Sequence, residues 1–275
     1  MTRHIISTIL LLTLYACTNI DRQKGGFERI SNENFLKELS DNKQTTEQIL
    51  EKITPSVLAF AKADTSDFYY GDNVIEDDSI FRMLLVGKTV NKTTILATEI
   101  NIKDTVINFF MLENKTWKLI GSEKTNIPIC RLEFEDLDGD NNNEIIISTS
   151  RNMNGNTWQE IYYFSDKAKT TKYAGSFSTD YIVKKDKKQI EETYEGSWYM
   201  DNSKTLYEWR QEKLVPLKQI ILAHEQPVSE NGKLSIEYYE NSTNDINGLK
   251  LKYKEPYSDD NKKQQQLWDN FFTGQ

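Results

Sequence analysis

From about residue 80 to residue 253 the chain is written in short runs of β-branched and aromatic residues, and this rhythm limits the fold more than any other feature. The first four runs are 81–86, 94–100, 106–112 and 116–120, broken by Gly87-Lys88, Lys103-Asp104 and Asn114-Lys115, which read as turns. The pattern continues through 129–134, 144–149, 158–164, 205–210, 214–222, 234–239 and 249–253. Strands this short and this regularly spaced predict an antiparallel meander, arranged as a sandwich, a barrel or propeller-like blades. Two hairpins look alike, 108–120 and 206–218: each has an aromatic strand, a charged turn and a returning strand. Two copies suggest a distant internal repeat without establishing one.

Helical spacing is confined to the ends. Ser31 or Asn32 can cap a first helix with Phe35, Leu36 and Leu39 on one face. Thr45 or Thr46 starts a second, with Ile49, Leu50 and Ile53 inward and Pro55 as its expected end. Residues 258–272 read as a C-terminal helix that docks Leu267, Trp268, Phe271 and Phe272. The expected fold is therefore mainly β, an antiparallel meander with short N-terminal helices and a C-terminal helix. Residues 31–275 are expected to form a single β-rich domain, with no clear boundary inside it. Fourteen tyrosines, twelve phenylalanines and five tryptophans supply the area such a core needs.

The first 17 residues, MTRHIISTILLLTLYAC, carry Arg3 and then a mostly apolar run from Ile5 to Leu14. That run is too short for a bilayer, which takes about 20 residues, but suits a signal-peptide core. It closes on Leu14, Tyr15, Ala16 and Cys17, which resembles the lipobox of bacterial lipoproteins. The resemblance implies a leader over 1–16, acyl chains including palmitate on Cys17, and a polar tether over 17–30. It places the protein in the bacterial cell envelope, held by lipid to a membrane, the outer membrane above all, and facing the periplasm or the cell surface. Cys130 is then the remaining free thiol, so an intramolecular disulfide is not expected.

One segment carries distinct chemistry: Asp136, Leu137, Asp138, Gly139, Asp140, Asn141, Asn142, Asn143 and Glu144. Oxygen-bearing side chains at alternate positions converge on a hard cation when the chain turns tightly around it. The EF-hand spacing is absent, because Asn141 and Ile147 stand where that loop needs Gly and Glu. The segment resembles the shorter calcium loop between strands of integrin-type propeller repeats and related secreted bacterial β-domains. That resemblance implies calcium held by the side chains of Asp136, Asp138, Asp140 and Glu144 and by the backbone oxygen of Asn142. Asn141 stands where a glycine is frequent, and Asn tolerates positive φ. The other reading is an Asp/Asn-rich turn that caps itself by side-chain hydrogen bonds.

After this loop come Asn154, Gly155, Asn156, Thr157 and Trp158, then an aromatic strand, then Glu195, Gly196, Ser197, Trp198 and Tyr199. Over 130–219 the order is similar to a group of secreted β-domains related to the periplasmic inhibitors of invertebrate-type lysozyme. The group includes lipoproteins that act as immunity proteins against peptidoglycan-cleaving effectors. In such inhibitors a protruding loop enters the lysozyme cleft. The matching segment here is 152–158, with Asn154, Gly155, Asn156 and Trp158 as partner-binding residues. Asn154-Gly155 stands where several inhibitors carry Ser-Gly. Ordinary packing on the sheet is the competing reading of Trp158 and Trp198.

The charge balance argues against nucleic acid as a partner: the net charge is −8, and phosphate neutralisation needs a basic face. With two histidines, His4 in the leader and His224, a His-rich zinc site cannot be built. Gly-x-Ser-x-Gly elbows and phosphate-cradling glycine loops are absent. His224 reads as a strand-end residue and Cys130 as a small buried hydrophobe. The expectation is a non-enzymatic module that binds an envelope protein or a peptidoglycan-cleaving enzyme. The alternative is a carbohydrate- or peptidoglycan-associated module whose tryptophans stack on sugars.

Overall fold

The computed structural model describes residues 45–62, 70–76, 79–89, 94–101, 105–125, 129–149, 155–178, 180–197, 200–224, 233–243 and 247–273. The helix α1 (Thr46–Lys62) precedes β1 (Tyr70–Glu76), β2 (Ser79–Lys88), β3 (Ile95–Asn101), β4 (Val106–Glu113) and β5 (Thr116–Lys124), which form one sheet in that order. A second sheet takes β6 (Ile129–Glu135), β7 (Glu144–Thr149), β8 (Trp158–Ser165) and β9 (Thr170–Ser178). A third takes β10 (Asp180–Lys184), β11 (Gln189–Tyr194), β12 (Asn202–Arg210), β13 (Lys213–His224), β14 (Leu234–Asn241) and β15 (Leu249–Pro256), and α2 (Lys262–Asp269) ends the fold. Among the described residues the protein is thus mainly antiparallel β, built as three meanders with one helix before them and one after, and no sheet closes into a barrel.

The chain groups into two compact units. Unit 1 holds the chain up to Asp136 with Asn141–Ser150 and Tyr162–Lys172; unit 2 holds Leu137–Asp140, Arg151–Ile161 and Tyr173–Gln275. In unit 1 the first sheet is buried on both faces. Ile49, Leu50, Ile53 and Val57 of α1 cover Leu84, Val86, Ile95, Ala97 and Phe110. The opposite face, with Leu96, Ile100, Ile107 and Phe109, packs against Phe134, Ile145, Ile147, Tyr162 and Phe164. Two-sided burial covers six consecutive residues of β3, Ile95 to Ile100, the polar Thr98 and Glu99 included. In unit 2, Leu206, Ile220, Leu222 and Ile236 pack under Phe271, with Leu267, Trp268 and Phe272 partly buried beside it.

Three expectations change. Pro55 does not end α1, which runs on to Lys62. Proline in a helix interior costs about 3 kcal/mol, but stopping there would leave Val57 out of the cluster that Ile49, Leu50 and Ile53 begin. Gly87-Lys88 is not a turn but the end of β2. Phe134 packs so close over Gly87 that a Cβ there would lie 2.6 Å from the ring. The C-terminal helix is shorter than 258–272: Asn261 caps it by accepting from the backbone N–H of Lys263 and Gln264, and Phe271 and Phe272 dock from the turn that follows. The pattern over 31–39, Lys103-Asp104, Cys17, Asn154 and Trp198 lie outside the described residues. The strands β1, β9, β10 and β11 had no sequence signal strong enough to stand out.

The resemblance between the hairpins 108–120 and 206–218 extends to backbone detail. Both turn through two non-glycine residues at positive φ, Asn114 and Lys115 (51° and 67°) and Gln211 and Glu212 (50° and 66°). Such turns match the twist of the flanking strands. Both then keep four paired positions before a bulge, where Ile120 and Leu217 are the extra residues. A third copy is β8–β9, whose returning strand reads TTKYAGSFS beside TWKLIGSEK of β5.

The copies share a packing step. The sixth residue of β5 is Gly121, and a Cβ there would lie 2.8 Å from Oγ1 of Thr171, the second residue of β9. Beside it, the Thr170 hydroxyl donates to the Ile120 carbonyl at 2.6 Å. The sixth residue of β9 is Gly175, and a Cβ there would lie 2.9 Å from Cβ of Leu214, the second residue of β13. The same contact thus recurs once in each unit. Gly175→Ala is expected to cost about 2 kcal/mol or more, since the added methyl meets a packed backbone-proximal carbon. Gly155→Ala, whose Cβ would meet nothing within 4 Å, is expected to cost only the left-handed penalty of about 1 kcal/mol. Urea denaturation of the two variants measures the difference.

Candidate metal centre

The loop between β6 and β7 is shaped by its own sequence. Gly139 and Asn141 take positive φ, 77° and 68°, conformations that Gly and Asn adopt at least cost. The Asp138 carboxylate accepts from the backbone N–H of Asp140 at 3.1 Å, a side-chain turn that tightens the bend. Leu137 points inward and is fully buried. Asn143 donates to the Lys88 carbonyl at 2.9 Å and fastens the far side of the loop to the end of β2.

Within this loop, ligand atoms of Asp136, Asp138 and Glu144 all lie within 4.8 Å of one another. Glu144 is only 5% exposed, and Asp136 and Asp138 are half-buried. Asp140 is exposed and does not belong to this trio, and Asn142 is half-buried. The residues at positions one, three and nine of the loop therefore converge. Three carboxylates offer up to six hard oxygens if each chelates, the donor chemistry that calcium and magnesium accept.

Electrostatics matches that crowding. Burial raises the Asp138 pKa above the usual carboxylate value, and the Asp140 charge raises it further; the Asp140 backbone N–H and the Lys188 ammonium pull the other way. Lys188 stands 3.4 Å from the Asp138 carboxylate. It follows a 3-10 turn over Lys185–Lys187, and a Cβ on Gly139 would lie 3.0 Å from the Lys185 carbonyl. Lys188 was not singled out from the sequence. The signal was there in residues 184–188, four lysines in five residues, a basic turn to set against the acidic loop.

The segment matched to an inhibitor loop is described from Gly155 onward. Gly155 takes φ 85° in open space. Asn156 is buried and donates to the Glu195 carbonyl at 2.7 Å, so it holds the segment in place. Trp158 opens β8, remains 37% exposed, and meets Tyr194 edge-on at 5.2 Å between ring centroids. Tyr194, the brace of that tryptophan, was also missed, because β8 and β11 belong to different sheets and nothing local links position 194 to 158. His224 ends β13; its backbone N–H donates to the Asp201 carboxylate at 2.8 Å, and its mostly buried ring has Nδ1 3.4 Å from the same oxygen.

The raised pKa of Asp138 fixes a sign. Without divalent cations, what Asp138 contributes to stability is present below its unfolded value and lost as pH rises through the raised folded value. In chelator at pH 7, Asp138→Asn, which keeps the acceptor for Asp140, is expected to be more stable than the parent. The gap should close below about pH 4, near the ordinary carboxylate pKa. Denaturant titrations across pH 3–7 give the readout.

No family model matches the chain, and no curated protein matches it. Among solved structures, a Xanthomonas protein described as related to a type IV secretion system is similar at a TM-score of 0.35 and 13% identity, covering 68% of this chain and 99% of its own. A Bacteroides fragilis protein with unknown function is similar at 0.20 and 8% identity, covering 70% of this chain and 93% of its own. Neither likeness is close enough to bear on fold or function.

Proposed function

We propose that this chain is a lipid-anchored protein of the bacterial envelope that binds calcium through the loop 136–144 and acts by binding another protein, in the manner of a lysozyme inhibitor or immunity factor. The observation that supports the metal half is the convergence of Asp136, Asp138 and Glu144 within 4.8 Å. These residues would hold the ion, with Asp140 and the Asn142 carbonyl as the further ligands that the resemblance supplies. The ion would supply positive charge that offsets the mutual repulsion of partly buried carboxylates, and so would keep the β6–β7 connection tight. Lys188, with an exposed ammonium, stands beside one of these acids, Asp138.

Thermal unfolding of metal-stripped protein tests the calcium site. Calcium a hundredfold above its dissociation constant should stabilise the fold by about 2.7 kcal/mol. Magnesium should do less, because it demands near-octahedral geometry and gives up water reluctantly. Asp138→Ala should remove most of the gain, whereas Asp166→Ala, in the β8–β9 turn, should keep it. Identical melting in chelator and in calcium, with a silent direct binding assay, would leave the loop a self-capped turn.

The partner half rests on the segment 152–158 and on Trp158. Lysozymes of several classes, assayed with purified protein in excess, should include one that is inhibited, and Trp158→Ala should weaken that inhibition roughly tenfold or more, as a buried aromatic anchor does. A second reading is favoured by the half-exposed, braced ring of Trp158 itself: a stacking surface for glycan or peptidoglycan. Binding to insoluble peptidoglycan with no inhibition of any lysozyme class would select it.

A further inference from the structure

The strand β15 and the helix α2 form a cleft of about 430 Å³ lined by Tyr253, Glu255, Lys263, Gln264, Gln266 and Leu267. Small-molecule sites span about 300–1,000 Å³, so the space suits a small ligand. The turn between strand and helix sets the two walls. Asn261 caps α2 by accepting from the backbone N–H of Lys263 and Gln264. Gln264 is only 3% exposed and ties the turn from inside. Its amide oxygen accepts from the Ser258 N–H at 2.9 Å, and its nitrogen donates to the Pro256 carbonyl at 2.9 Å and to Glu255 Oε1 at 2.6 Å.

Glu255 is exposed at this cleft, yet its carboxylate is held in place. Gln264 and, at 3.5 Å, the Tyr253 hydroxyl both donate to Oε1. Among the described residues Oε2 receives no donor, and Glu255 has no ion pair. Lys263, on the helix wall, is likewise exposed and pairs with no acid among the described residues. Opposite charges thus line one cleft without meeting each other. Tyr253 and Leu267, both half-buried against the core of this unit, add an apolar lining. A carboxylate already fixed by its own fold loses little freedom when it binds, and such preorganisation favours a ligand.

We propose that the cleft between β15 and α2 binds a small zwitterion, an amino acid with an apolar side chain. Its ammonium would meet Glu255 Oε2, its carboxylate would meet the Lys263 ammonium, and its side chain would lie against Leu267 and Tyr253. Charge selects this class. An anion alone is opposed by Glu255, and a cation alone by Lys263. A neutral sugar would strip water from both charges and neutralise neither. A ligand that carries both charges replaces the lost water with a charge-assisted hydrogen bond on each wall. None of these residues belongs to the loop 136–144 or the segment 152–158, so the proposal stands apart from the readings above.

The test is calorimetric titration of the full chain, carrying Cys17→Ser to keep lipid out of the readout, with L-leucine and D-leucine. At least one enantiomer should saturate the protein with a dissociation constant of about 1 mM or below. N-acetyl-leucine, which lacks the ammonium, and leucinamide, which lacks the carboxylate, should each bind about tenfold more weakly, the loss expected for one charge-assisted hydrogen bond. Glu255→Gln and Lys263→Gln should each weaken leucine by a similar factor. Lys262→Gln, which does not line the cleft, should leave the affinity unchanged. The three replaced side chains are exposed, so circular dichroism and melting should match the parent and show that the variants fold. Absence of saturable binding by either enantiomer up to about 10 mM overturns the proposal. So do equal affinities for leucine and its blocked forms, tighter binding of N-acetylglucosamine than of leucine, or leucine binding that survives both Glu255→Gln and Lys263→Gln.

Discussion

Two strand glycines set the spacing on which much of the structure depends. Over Gly121 and over Gly175, the second residue of another hairpin's returning strand occupies the space a side chain would take. Close packing of this kind forfeits contacts steeply when a gap opens and meets repulsion when a methyl is added. The hairpins that bear these glycines are therefore held in one registration, and in β5 the bulge at Ile120 falls just before Gly121. A bulge strengthens local twist, so it turns the strand where the close approach has to occur. Gly87 under Phe134 is a third such approach, and it keeps β2 extended where the sequence suggested a turn.

Charge is the second organising constraint. The β6–β7 loop gathers carboxylates because its backbone turns through Gly139 and Asn141 while Leu137 anchors it inside. A lysine-rich turn rests against the same loop, with Lys188 on Asp138 and the Lys185 carbonyl against Gly139. The exposed ammonium of Lys188 is well solvated, so it screens Asp138 without neutralising the loop, and exposed pairs of this kind are worth little by themselves.

Reading the sequence worked best where the signal is local, in strands buried on one face and on both alike. Eleven strand runs and the apolar side chains of the C-terminal segment could be located because their residue types are those a pleated, half-buried surface selects. It failed where partners come from far along the chain. β10 and β11 are short and mixed in composition, DYIVK and QIEETY; Glu191 pairs with Lys184, and Glu192 accepts from the Ser178 N–H and the Tyr207 hydroxyl, contacts that propensity does not carry. β9, TTKYAGSFS, is rich in small and hydroxyl residues, and Thr171 and Gly175 lie in close contact with other strands; read locally it is merely a weak strand. Pro55 was taken as a stop because its local cost is real, yet the core beyond it outweighs that cost.

The acidic loop shows the same division. Its sequence alone determined that carboxylates would stand at alternate positions in a tight turn, since Gly and Asn at positive φ and aspartates at odd positions are local properties. Only the tertiary structure decided which of them meet: Asp136, Asp138 and Glu144 converge, Asp140 faces solvent, and Lys188 arrives from fifty residues away. It likewise decided that Tyr194 would brace Trp158 and that Lys218 would donate to the Phe271 carbonyl. Turn chemistry is written in neighbouring residues, whereas distance between charged or packed groups is set by how separate elements pack, which no local pattern contains.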